Sequence, residues 1–214
     1  MELKSLEELV RTRNALPLIR ALANEGQGRI ELLDADPQSA ASTLLALQVS
    51  TRTPLGSVAY YTGGILVDSG WLRILGSGHP RLLWGLAEWN GLQVAVPKKR
   101  ILAHDVLGGF FALESNRRVS YFSPDSLRWE NTDLTHTDWL TWALGPDLGD
   151  FYEHFRWTGW QKEIHSLECS QGLLVEPFLF RKGPALVKRK RKPMPIRELW
   201  SLYQDLAQKG GLDP

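Results

Sequence analysis

The sequence predicts an α+β domain, with an antiparallel meandering sheet of about five or six strands between helices at its N- and C-terminal sides. Three observations predict it. Helix caps and helical periodicity occupy the first sixty residues or so. From Ile65 to about Asn131 the period changes to two, and at Thr135 caps and helical spacing return.

The N-terminal part opens with Ser5 and Glu8 at capping-box spacing, which predicts a helix from Ser5 to about Arg13. A second helix is expected from Asn14 or Ala15, with Leu16, Ile19, Leu22 and Ala23 on one face and Gly26 at its end. RIELL (29–33) reads as a short strand. Asp36-Pro37 and Thr53-Pro54 each place an N-cap before a proline at the first helical position, starting two further helices. Then ILVDSGWLRIL, LQVAVP, RILAHDVL, GGFFALE, RVSYFSP and LRWEN alternate and are rich in β-formers, with turn residues at Gly108-Gly109, Asn116-Arg117 and Pro124-Asp125. A helix-like insertion, PRLLWGLAEWNG (80–91), interrupts them. Past Thr135, three helices are expected over DWLTWALG, DLGDFYEHF and GWQKEIHSLE, then a strand in LLVEPFLF. PIRELWSLYQDLAQKG forms the last helix, packing back through Leu199, Trp200, Leu202, Tyr203 and Leu206. The expected organisation is one domain over 1–180, followed by a basic connector and C-terminal helix over 181–214.

The 214 residues carry a net charge of +1, unevenly placed. From Arg181 onward there are nine Lys/Arg against three acids, leaving a net of −5 for residues 1–180. The single cysteine, Cys169, cannot build a disulfide framework or a thiolate metal cluster. The N-terminal segment lacks the basic and apolar regions of a secretory signal, and no apolar run approaches the roughly 18 residues that span a bilayer. A cytoplasmic location without membrane association is expected, as are no cofactor and no metal.

Several stretches carry a resemblance together: LLALQVSTRTPLG, YTGGILVDSGWLRILGSGHPRL, DVLGGFFAL, YFSPDSLRWE, DWLTWALGPDLGDFYEHFRWTGW and PIRELW. From about Leu44 to Leu206 they resemble the bacterial family catalogued as domain of unknown function 2625, which has no established reaction. More loosely, residues 35–155 resemble the SUKH (Smi/Knr-like) superfamily. That second resemblance implies a small α+β protein and, for the bacterial members, immunity against secreted toxins.

The glycine-rich span GGILVDSGWLRILGSGHPRL (63–82) invites a phosphate-loop reading, but neither GxxxxGK nor GxGxxG is present. Its glycines read as framework. Asp68, His79, His104 and Asp105 are the candidates for acid–base chemistry, yet neighbours 104 and 105 on a strand point to opposite faces. No HExxH and no GxSxG occurs. Asp147, Asp150 and Glu153 read as a solvated acidic face, and Cys169 as unreactive. Among the nine tryptophans, most are expected in the core. Trp84 and Trp89 sit in the insertion, where binding residues are usually carried. The run Lys188, Arg189, Lys190, Arg191 and Lys192 has no aromatic interleaving and reads as a solvated connector.

These readings favour non-catalytic protein–protein recognition, with Trp84, Trp89, Asp68 and His79 as partner-binding residues and no catalytic residue. The SUKH resemblance implies a toxin as the partner. An enzyme acting on a small or sugar substrate, in a cleft with Asp68, His79 and Asp105, is the alternative. A nucleic-acid-associated protein using Lys188 to Lys192 is the second.

Overall fold

The computed structural model describes residues 3–26, 29–91 and 99–210. Four of its helices begin where the sequence signals place them. α1 (Leu6–Leu9) has a full capping box between Ser5 and Glu8, but it ends well short of Arg13. α2 (Leu16–Glu25) buries Ile19. α3 (Pro37–Leu47) and α4 (Pro54–Tyr61) start at Asp36 and Thr53, whose side chains accept from the amides of Ser39 and Gly56.

The sheet has seven strands in sequence order, each antiparallel to the next. They are β1 (Ile30–Leu33), β2 (Gly64–Val67), β3 (Leu72–Leu75), β4 (Lys99–Asp105), β5 (Phe110–Glu114), β6 (Arg118–Ser123) and β7 (Arg128–Thr135). That exceeds the expected five or six, because β1 joins the edge beside β2 and ILVDSGWLRIL splits into two strands at a turn. The strand expected over LQVAVP lies outside the described residues. In the insertion only α5 (Leu86–Asn90) is helical.

Both faces of the sheet are covered, and the period-2 alternation assigns each side chain. Phe111 and Tyr121 pack under Trp139, Trp142 and Phe151, from α6 (His136–Leu144) and α7 (Leu148–Phe151). Their neighbours Phe110 and Phe122 turn the other way, onto Trp200 of α9 (Ile196–Lys209), with Trp89 of α5 beside Phe110. Each buried aromatic contributes roughly 1.5–3 kcal/mol of transfer free energy. Trp71, Trp139 and Trp157 are buried and the other six tryptophans are half-buried, so none is spent wholly on solvent.

α8 (Trp160–His165) follows, and β8 (Gln171–Glu176) pairs with β9 (Lys190–Pro195). This pairing corrects the reading of residues 188–192 as a connector, while Lys188, Lys190 and Lys192 are solvated as expected. Lys190 to Lys192 are strand, hydrogen-bonded to a segment on the far side of the expected boundary at 180. The basic and proline residues of KRKPMP suit an edge strand, where Pro193 and Pro195 need not donate.

Candidate functional site

The glycine span is a packing device. Gly64 has φ 153°, and a Cβ there would lie 2.1 Å from Leu82 Cδ1 and 2.9 Å from the Ile74 carbonyl oxygen. The Ser77 amide donates to the Thr62 carbonyl and the Gly78 amide to the Gly63 carbonyl. These backbone groups of the span are therefore engaged within the fold.

Asp68, at the β2–β3 turn, is buried and faces two arginines. Arg29 reaches it at 2.9 Å from before β1, and Arg156 closes on its other oxygen from the segment between α7 and α8. The Arg156 guanidinium also lies over the rings of Trp160, Trp71 and Tyr152, at 4.3, 5.2 and 5.7 Å. Asp68 is thus the centre of a clamp joining three parts of the chain. His79 sits in the turn after β3, where its Nδ1 accepts from the Arg81 amide at 3.2 Å.

His104 and Asp105 point to opposite faces of β4. His104 is buried, stacked against Trp89 at 5.7 Å and packed beside Phe110. Burial, reinforced by the charge of Arg73, holds its imidazole well below the usual histidine range. Asp105 accepts four hydrogen bonds: the Leu107 and Gly109 amides on Oδ1 at 2.8 and 2.9 Å, and the Tyr121 and Tyr152 hydroxyls on Oδ2 at 2.8 and 3.1 Å. Burial raises its carboxyl despite those four donors, and pushes both tyrosines well above the usual phenol range. No side-chain hydrogen bond joins any two of Asp68, His79, His104 and Asp105 among the described residues. Nor do these residues contain a group of three His, Cys, Asp or Glu placed to hold a metal ion.

Trp84 and Trp89 are met by one cation. The Arg197 guanidinium, from the first turn of α9, lies 3.7 Å over the Trp84 ring and 5.0 Å over that of Trp89, and donates to the Glu88 carbonyl at 3.0 Å. Trp89 turns inward to His104 and Phe110, whereas Trp84 lies beside Leu83, which is 57% exposed. Sequence reading could not see Arg197 here, because it lies more than a hundred residues away.

The basic run is largely consumed internally. Arg189 donates to the carbonyls of Pro177, Phe178, Arg181 and Pro184. Arg191 pairs with Glu163 and covers the Trp157 ring at 4.3 Å, and Lys192 pairs with Glu176 at 2.7 Å. Lys188, Lys190 and Lys192 are exposed.

A further feature has no cue in the sequence. A cavity of about 570 Å³ lies between the first turns of α4 and α6, with Arg100, Arg117 and His136 in its wall.

The match to known proteins comes from the whole chain. The model of the family described as protein of unknown function DUF2625 matches residues 6–199. The chain belongs to that family. A putative uncharacterized protein, YbfG of Escherichia coli K12, is 34% identical over 214 residues, covering 96% of this chain and 98% of that one. An uncharacterized protein of Haemophilus influenzae Rd is 34% identical over 180 residues, covering 79% of each. No solved structure matches the chain. Among the described residues no helix is long and apolar enough to cross a membrane. Membership of the DUF2625 family brings no reaction with it, so the functional reading rests on the side chains above.

Proposed function

We propose that this DUF2625 protein is a non-catalytic recognition protein that binds another protein through the surface formed by residues 79–91 and Arg197. The observation that carries this reading is the stack of Arg197 on Trp84, beside the exposed Leu83. Tryptophan and arginine dominate interface energetics when a partner removes them from water. Here the guanidinium is already oriented by the Glu88 carbonyl, so little of its freedom is left to lose on binding.

The residues that would serve an enzyme support the same reading by their engagements. Asp68 neutralises two arginines, His104 is a stacked core imidazole, and Asp105 has all its acceptor directions filled. A nucleic-acid role is less well supported, since three of the five cations in the run have internal partners. The SUKH resemblance favours a toxin as the partner. The net of −5 over residues 1–180 favours a basic one, through electrostatic steering.

A photo-crosslinking residue placed at Leu83, in the cell that naturally makes the protein, tests the reading. One discrete protein adduct is expected, absent when the crosslinker sits at the exposed Ser42 instead. Equal labelling from both positions, or none from either, would count against it.

A further inference from the structure

Arg100 is 8% exposed, yet among the described residues it takes part in no ion pair, and its Nε meets no acceptor. A buried N–H without an acceptor is costly. Its position is the product of a local irregularity. In β4, Ala103 faces Phe111 and His104 faces Phe110, so strict alternation from His104 would put residue 100 on the His104 face. The register slips between Ile101 and Ala103, and Arg100 comes to lie opposite Leu113. Leu113 shares a face with Phe111, under α6. The bulge therefore moves the guanidinium to the helix-covered side, a known use of β-bulges.

The cavity on that side is suited to negative charge. Thr53, Pro54 and Leu55 open α4, and Thr135, His136 and Thr137 open α6, so two helix N-termini line one space. Pro54 has no N–H, and the Gly56 and Asp138 amides are taken by the Thr53 and Thr135 side chains. The site therefore draws on the Leu55, His136 and Thr137 amides and on the positive ends of the two helix dipoles. Arg117 adds a second cation from the β5–β6 turn. No carboxylate is among the described lining residues. Leu55 and Leu113 supply an apolar wall.

We propose that this cavity binds an oxyanion, a carboxylate or phosphate, with Arg100 as its charged ligand and the carrier's apolar part against Leu55 and Leu113. The oxyanion belongs either to a free small molecule or to an acidic side chain of a protein. The site does not depend on the recognition surface at Trp84 and stands or falls separately.

Thermal melts of the wild type and of Arg100→Met, titrated with inorganic phosphate, acetate and benzoate against sodium chloride at matched ionic strength, test the proposal. The wild type should gain stability saturably with at least one oxyanion beyond the chloride control. Arg100→Met should melt no lower than the wild type without anion, because it removes a buried Nε that has no acceptor among the described residues, and should bind about 10-fold or more weakly. Arg117→Gln, at an exposed position, should fold normally and weaken binding less. A Glu-containing peptide compared with its Gln counterpart identifies the source. Tighter binding of the Glu peptide than of benzoate assigns the oxyanion to a protein, and the reverse assigns it to a small molecule. No oxyanion response beyond chloride would overturn the proposal. So would an Arg100→Met protein that melts several degrees lower, or one that responds as the wild type does.

Discussion

The Asp105 carboxylate and the Tyr152 hydroxyl meet at 3.1 Å, fastening the β4–β5 turn to the end of α7, while Tyr121 donates to the same oxygen from β6. Removing one hydroxyl leaves that oxygen its other donor, so Tyr152→Phe should cost about 1 kcal/mol in denaturant unfolding. Asp105→Ala strands two amides and two hydroxyls in the core and should cost about 3 kcal/mol or more. If Asp105→Ala were as stable as the wild type, its framework role would be wrong.

The clamp at Asp68 makes a second prediction. Its side chain is 5% exposed, and Asp68→Asn leaves Arg156, 15% exposed, without its counter-charge. A loss of about 2–4 kcal/mol is expected, the range for breaking a largely buried pair by removing one partner. Arg29→Gln should cost less, because Arg29 is 37% exposed and solvent screens its pair. Equal losses for Asp68→Asn and Arg29→Gln in parallel melts would show that the two arms are not ranked by burial.

Gly64→Val tests the glycine span. The positive φ costs on the order of 1–3 kcal/mol for a β-branched residue, and the clash with Leu82 adds to that. A clear drop in melting temperature is expected. An unchanged melt would remove the framework reading of residues 63–82.

His136 gives a pH dependence. Burial, with the charge of Arg100 second, lowers its imidazole to about 4 from the ordinary 6.5. The folded chain therefore binds its proton less readily than the unfolded chain does. The stability contributed by neutral His136 is fully present above pH 6.5 and is lost as pH falls toward about 4, a change of about 3 kcal/mol. Urea unfolding of wild type and His136→Gln across that window should show a shallower slope for the variant. Identical slopes would mean that His136 titrates normally.

Much of the fold was legible because its signals are local. Ser5, Asp36, Thr53 and Thr135 each cap the helix that their spacing announced. The incomplete capping box at Thr135, with Asp138 where Glu is usual, has a local cause. Asp138 is one methylene shorter than the usual Glu, and it accepts from the Thr135 hydroxyl at 2.7 Å. The opposite orientations of His104 and Asp105 likewise follow from alternation. The site was harder to read. Arg197 reaches Trp84 through the return of α9, and the face taken by Arg100 depends on a bulge that no residue in RILAHD announces. The basic run misled because composition says nothing about pairing: Arg191 is drawn in by Glu163 and Trp157.

The central claim, that this protein recognises another protein through Trp84 and Arg197, is tested most directly by calorimetry with the partner captured at Leu83. Trp84→Ala and Arg197→Ala should each weaken that binding by about 10-fold or more, the loss expected of interface anchors, while keeping near-wild-type melting temperatures. Unchanged affinity in both variants would contradict it.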